Sequence, residues 1–251
     1  MFRAVMPDAR LWRSLLSAIS TLVDEATFNA DAEGVKLRSM DPSHVAMVDF
    51  ALPSTAFKEY TCTEPKRIRI NLESMLKLLK RSKTGESVEL VYDEQTKKIQ
   101  MTLRDKIKKI FTIPTLESTE EETPTPKVNF NSSIRITSAA LKEIIEDTQE
   151  VSDNVKLEAH PERLVITAST ELSSGRFEIE KGAETLLDIK VREPSAATYN
   201  LSYLADMMKA GAEASEILTL EFSTNMPLRL EFAIPQSGQI VYYLAPRIEA
   251  E

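Results

Sequence analysis

Leu11, Trp12, Leu15, Leu16, Ile19, Leu22 and Val23 recur at helical spacing, one apolar stripe opposite a face of Arg10, Arg13, Ser14, Ser17 and Ser20. Asp8, directly after Pro7, is placed to cap that helix, and residues 2–6 before it read as a short strand. The period then changes from 3.6 to 2. Alternation predicts strands over 26–29 and 35–40, separated by the Ala32-Glu33-Gly34 turn, and further strands over 45–52, 57–61 and 67–70. Asn71 caps a second helix with Leu72, Met75, Leu76 and Leu79 inward and Lys77, Lys80 and Arg81 on its polar face. Lys83 lies just beyond, and Thr84-Gly85 is the predicted stop. Three strands, 88–92, 99–103 and 107–113, complete this half.

Residues 114–127 break the pattern. They hold Pro114, Pro124 and Pro126, four threonines, and the glutamates Glu117, Glu120, Glu121 and Glu122. Such a segment cannot bury a core and reads as an exposed connector. It divides the chain into an amino-terminal domain over 1–113 and a carboxy-terminal one over 128–251. The second half repeats the first in order. Asn200-Leu201 opens a helix as Asn71-Leu72 does, at an offset of 200 − 71 = 129 residues. At the same offset Arg163-Leu164-Val165-Ile166 lies over Gly34-Val35-Lys36-Leu37, and Leu141, Ile144 and Ile145 form a helix like that of Leu15, Leu16 and Ile19. The class is α+β: two similar domains of antiparallel sheet with helices on one face. Chance agreement of two strand-rich halves is the competing account, since short apolar runs are ambiguous.

Composition narrows the function. With 251 residues, 42% of them hydrophobic, the chain can bury a core in each half. Acidic residues outnumber basic ones 39 to 31, a formal charge of −8, which argues against a protein that coats nucleic acid with its whole surface but leaves room for a segregated basic face. The single cysteine, Cys62, excludes an internal disulfide framework and fits a reducing compartment. Neither a secretory signal nor a membrane span is expected.

Catalytic chemistry is not legible. His44 and His160 stand at no metal-ligand spacing with each other or Cys62, and six glycines supply no phosphate loop. No metal, cofactor or catalytic residue is expected, and Asp41 with His44 is read as turn chemistry. Three surfaces draw attention instead. Met40, His44 and Met47 surround the Asp41-Pro42-Ser43 turn, soft side chains where a plain hairpin carries polar ones; they line a binding surface or cap the end of a core. The cationic helix faces are DNA contacts or simply solvated. Lys106, Lys108, Lys109, Ile110 and Phe111 form a basic strand, and Arg176, Phe177, Glu178, Ile179 and Glu180 an acidic one. By themselves both read as edge strands guarded by charge against aggregation.

The stretch from Leu37 to Phe50 closely resembles the segment leading into and through the central loop of the first domain in sliding clamps of the proliferating cell nuclear antigen family. Asn225-Met226-Pro227-Leu228-Arg229-Leu230-Glu231-Phe232, then Tyr242-Tyr243-Leu244-Ala245-Pro246-Arg247-Ile248-Glu249, resembles that family's carboxy-terminal signature, and Met1-Phe2-Arg3-Ala4 is similar too. The likeness runs the length of the chain.

It implies the DNA clamp fold, subunits closed into a ring around duplex DNA, and a processivity factor for DNA polymerase rather than an enzyme. DNA-facing side chains would be Arg10, Arg13, Lys77, Lys80, Arg81, Lys83, Lys142 and Lys209, although Glu143, Glu146, Asp147 and Glu150 make the third helix acidic for that role. The basic and acidic strands would pair between subunits, closing a trimer. Short partner motifs with hydrophobic and aromatic anchors would bind against Met40, His44, Val45, Met47, Pro227, Tyr243, Ala245 and Pro246. Implied partners are double-stranded DNA, further copies of the chain, a replicative polymerase, a clamp-loader ATPase, a flap endonuclease and a DNA ligase. The setting would be the cytoplasm, at the nucleoid, for an archaeal protein and the nucleus for a eukaryotic one. A subunit of an obligate heterotrimeric clamp and a scaffold that never encircles DNA are the alternatives.

Overall fold

A computed structural model describes residues 1–117, 124 and 126–248. The elements run β1 (Phe2–Met6), α1 (Ala9–Ser20), β2 (Glu25–Asp31), β3 (Gly34–Met40), β4 (Ala46–Pro53), β5 (Glu59–Cys62), β6 (Lys66–Asn71), α2 (Leu72–Leu79), β7 (Ser87–Asp93), β8 (Lys98–Arg104) and β9 (Lys108–Pro114). The same series comes again: β10 (Ser132–Thr137), α3 (Ser138–Gln149), β11 (Asn154–His160), β12 (Arg163–Ser169), β13 (Ser174–Glu180), β14 (Leu186–Val191), β15 (Ser195–Asn200), α4 (Leu201–Ala214), β16 (Ile217–Phe222), β17 (Leu228–Ile234) and β18 (Gly238–Leu244).

The chain divides into two compact units that trade short segments. The first comprises Met1–Pro42, Val48–Thr123 and Ile234–Ile240; the second comprises Ser43–Met47, Pro124–Ala233 and Val241–Glu251. In the first, β5-β1-β7-β8-β9 form one antiparallel sheet, and β4, β3, β2 and β6 lie side by side in another. Residues 48–53 of β4 run beside residues 238–240 of β18 in this unit; a Cβ on Gly238 would stand 2.9 Å from the Leu52 methyl. In the second, β14-β10-β16-β17-β18 make one sheet and β13-β12-β11-β15 the other.

Each unit buries a helix pair, α1 with α2 and α3 with α4. The α1 stripe enters the core, with Leu15, Leu16 and Ile19 fully buried, each contributing ~1.5–3 kcal/mol. The expected caps form. Asp8 accepts from the Arg10 N–H, Asn71 from that of Ser74, and Asn200 from that of Tyr203. Gly211 lets α4 lie against β17, because a Cβ there would strike the Phe232 ring.

Three boundaries differ from expectation. The second helix ends at Leu79 rather than at Thr84-Gly85, because 80–85 offers no apolar side chain to extend the stripe, and the Ser82 N–H turns back to the Leu79 carbonyl. The fifth strand starts at Glu59, not residue 57, since the Phe57 N–H closes a tight turn on Ser54. β9 begins at Lys108, leaving Lys106 and Ile107 in the preceding turn.

Candidate functional site

The turn after β3 is built from a buried Asp41 and an exposed Pro42-Ser43-His44, with His44 in left-handed backbone (φ 56°). Residues 43–47 then pack with the second unit, where the Ala245 N–H donates to the Val45 carbonyl at 2.8 Å. That bond brings the loop to the end of β18. Val45, Tyr243, Ala245 and Pro246 are half-buried. Pro227 is half-buried too, at the end where β17 starts and β18 stops. Its turn is fixed from below: the Tyr199 hydroxyl donates to the Met226 carbonyl at 2.8 Å, and the Asn225 N–H to the Ala196 carbonyl at 3.1 Å. The result is a shallow apolar surface with backbone polar groups at hand, suited to receive a hydrophobic or aromatic anchor.

Met47 does not line it. It is 3% exposed, a core residue between buried Ala46 and Val48, and its expected place as a wall is corrected accordingly. Met40 is half-buried at the end of β3 in the first unit. Glu120, Glu121 and Glu122 of the expected connector lie outside the described residues.

One feature of this surface escaped the sequence reading. Arg229 on β17 donates through Nη1 to Glu221 at 2.6 Å and through Nη2 to Glu231. Burial alone would lower its pKa, but the bonds to Glu231 and Glu221 outweigh that and raise it, so the guanidinium is permanently charged. Alternation was the available signal. Leu228, Leu230 and Phe232 point inward, which sets Arg229 and Glu231 on the outer face, with Glu221 directly across from Arg229.

The cationic helix side chains divide into spent and free. Arg10 bonds its own cap, Asp8, at 2.8 Å, which raises the guanidinium pKa and lowers that of the carboxyl, and it also reaches the Thr84 hydroxyl at 3.1 Å. Arg13 donates to the Lys80 carbonyl at 3.4 Å and ties α1 to the end of α2. Lys77 pairs with Glu73 at 2.8 Å and Lys142 with Glu146 at 3.6 Å, one turn apart in each case. Lys80, Arg81 and Lys83 are exposed at and beyond the end of α2, as is Lys209 on α4. Exposed Glu143, Asp147 and Glu150 leave α3 acidic.

β9 and β13 are both outermost strands of their sheets. On β9, Lys108 and Ile110 are exposed and Phe111 half-buried. Lys109 instead turns back to Glu86, a carboxylate 1% exposed, at 2.7 Å. On β13, Arg176 pairs with Glu178 at 2.7 Å and lowers its pKa, Phe177 is half-buried and Glu180 exposed. Ile179 is buried in its own unit and Lys109 is held by its own chain, so neither is open to a neighbour as expected. Among the described residues no group of three or more His, Cys, Asp or Glu side chains could hold a metal, and no helix is long and apolar enough to cross a membrane.

Comparison with known proteins agrees on one family. Residues 1–119 match the model described as proliferating cell nuclear antigen, N-terminal domain, and residues 124–247 the corresponding C-terminal domain. The chain is 36% identical to a DNA polymerase sliding clamp of Thermofilum pendens, covering 99% of this chain and all of that protein. It is 35% identical to DNA polymerase sliding clamp 1 of Pyrobaculum aerophilum, over 96% of each. Among solved structures, that of the proliferating cell nuclear antigen of Thermococcus kodakaraensis superposes with a TM-score of 0.94 at 26% identity, covering 98% of this chain and all of that one. A PCNA2–PCNA3 complex from Sulfolobus tokodaii gives 0.90 at 25% identity, covering 98% of this chain and 99% of that one.

Proposed function

The chain belongs to the proliferating cell nuclear antigen family, as a DNA polymerase sliding clamp and processivity factor, and from that premise we propose how its surfaces divide the work. Residues 1–113 and 128–251 are the two clamp domains, joined by 114–127. The chain closes with two further copies into a ring around duplex DNA. It contributes no catalysis of its own and holds polymerase, flap endonuclease and ligase near DNA by their short anchor motifs, while a loader ATPase opens the ring. Tethering raises a client's effective concentration, so a modest groove affinity suffices. The archaeal sources of the relatives support a cytoplasmic, nucleoid-associated setting.

The observation that carries self-assembly is the internal repeat. Residues 48–53 of β4 run beside residues 238–240 of β18. Shifted by 129 residues, β4 falls on β13 (46 + 129 = 175) and β18 falls on β9 (238 − 129 = 109). β13 and β9 are therefore the strands that the repeat makes complementary, and each is an outer edge in its own sheet. Joining β9 of one copy to β13 of the next satisfies both edges head to tail. Lys106 and Lys108 then face a strand carrying Glu180, and Phe111 and Phe177 supply apolar area.

DNA contact concentrates on the first domain, where Lys77, Lys80, Arg81 and Lys83 are exposed, because in the second α3 is acidic and α4, the counterpart of α2, exposes Lys209 between the carboxylates of Asp206 and Glu213. Contacts of this kind are to phosphate and independent of sequence, as sliding requires. Sedimentation equilibrium tests the assembly. The protein should run near three times the 28.2 kDa chain, and Ile110→Arg, which places a charge on the β9 edge, should run as a monomer with its fold intact. A monomeric wild type would transfer the reading to a heteromeric clamp, and an Ile110→Arg trimer would remove β9 from the interface.

A further inference from the structure

We propose that Pro114 leaves the seam between copies one backbone hydrogen bond short of the equivalent seam within the chain, β4 with β18, so that the ring parts between copies. This rests on the head-to-tail pairing of β9 with β13 given above, and it fixes the register of that pairing.

Alternation along a strand decides which backbone groups face a neighbour. The Thr115 N–H donates to the Lys97 carbonyl at 2.9 Å, toward β8. The backbone polar groups of Lys108, Ile110, Thr112 and Pro114 therefore turn to the outer edge. On β13 the Thr170 N–H meets the Ser173 carbonyl and the Lys181 N–H the Glu162 carbonyl, each at 2.8 Å. Ser174, Arg176, Glu178 and Glu180 accordingly present theirs outward.

The seam within the chain supplies the register. In the second unit the Ala245 N–H donates to the Val45 carbonyl at 2.8 Å, and the Arg247 N–H to the Thr198 carbonyl at 2.7 Å. In the first unit the Leu116 N–H donates to the carbonyl of Arg69, the repeat counterpart of Thr198 (198 − 69 = 129). Pro114, two residues before Leu116, thus stands where Ala245 stands before Arg247, and Val45 falls on Ser174 (45 + 129 = 174). Setting Pro114 opposite Ser174 brings Thr112 to Arg176, Ile110 to Glu178 and Lys108 to Glu180, an opposite-charge pair at the far end. On the other face the same register sets half-buried Phe111 against half-buried Phe177. A slip of one residue would lose both matches.

Each of these outward pairs can exchange two bonds, N–H to carbonyl in both directions. Proline has no N–H, so the pair at Pro114 can make only one. Where Ala245 ties Val45 inside the chain, the Ser174 carbonyl of the next copy is left to water. The copy-to-copy seam is loosest at that end.

The test compares the wild type with Pro114→Ala, which restores the N–H at an exposed position of the edge. The rate at which labelled and unlabelled trimers exchange copies should fall about threefold to tenfold, the scale of one backbone hydrogen bond. The new amide at position 114 should resist hydrogen exchange in the trimer, and exchange freely once Ile110→Arg is added to make the protein monomeric. Unchanged exchange of copies, or an unprotected amide at position 114, would overturn the role of Pro114 and leave the assembly standing. Assemblies of Pro114→Ala larger than three copies would make Pro114 a guard against stray edge pairing and overturn its role as well. A wild type that is monomeric at every concentration would overturn the assembly reading, and the role of Pro114 with it.

Discussion

Glu86 shows how much one carboxylate can hold. It is buried, accepts from the Lys83 N–H at 2.9 Å and from Lys109 at 2.7 Å, while its own carbonyl receives the Ala9 N–H that opens α1. Burial alone would raise its pKa; the bonds from Lys109 and the Lys83 backbone outweigh that and hold it below the usual carboxylate value. A carboxyl depressed in the folded state contributes stability that is present above its unfolded pKa of ~4.3 and lost as pH falls through the lower folded value. Glu86→Gln should therefore cost about 2 kcal/mol at pH 7. The gap to wild type in thermal unfolding should narrow below about pH 4; a gap constant with pH would assign the loss to packing. At this scale the caps Asp8, Asn71 and Asn200 were legible, because a cap is a local signal. Lys109 and Met47 were not. Ala46, Met47 and Val48 are buried in succession, so alternation carries no information there, and a lysine stem is long enough to reach either side of an edge strand.

The helices and edge strands decide what the surface can do. Among the α1–α2 cations, Arg10 and Arg13 are engaged by Asp8 and the Lys80 carbonyl and Lys77 by an exposed ion pair with Glu73, leaving Lys80, Arg81 and Lys83 as the cations most open to phosphate. Lys77→Glu with Lys80→Glu should reduce polymerase stimulation on a circular template, most at low salt, and the difference from wild type should shrink as salt rises. If both lysines meet phosphate, the slope of log affinity against log salt should fall by about 1.8, roughly 0.9 for each contact. Activity unchanged at every salt would mean that these lysines are merely solvated. Elements were the most readable scale of this chain, since stripe and alternation mark which face is buried. The α2 end was misjudged because Thr84-Gly85 is a good stop signal with no apolar stripe left to stop. The Glu221–Arg229–Glu231 cluster was missed because it forms across strands, and pairing register is not written in any one of them.

At the scale of the molecule the repeat was visible as an offset of 129 residues, and its use was not. Two isolated bridges show that use: Arg69 with Leu116, and Thr198 with Arg247. The strand residues differ by 198 − 69 = 129, the repeat offset itself. The start of the connector, after β9, and the chain's last described stretch, after β18, thus each bridge to an equivalent strand, β6 and β15 respectively. Beyond Leu116, a segment of fifteen residues, 117–131, leads into β10, the counterpart of β1. A copy of that segment placed after Arg247 would lead into β1 of a second copy. Three copies written this way in one reading frame should sediment as a single polypeptide of about three chain masses and still support polymerase on circular DNA; larger assemblies would show that tail and connector are not interchangeable. Subunit number would then be fixed by the gene instead of by concentration. Two of the three seams would be covalent, and the remaining one would become the only door through which DNA can enter.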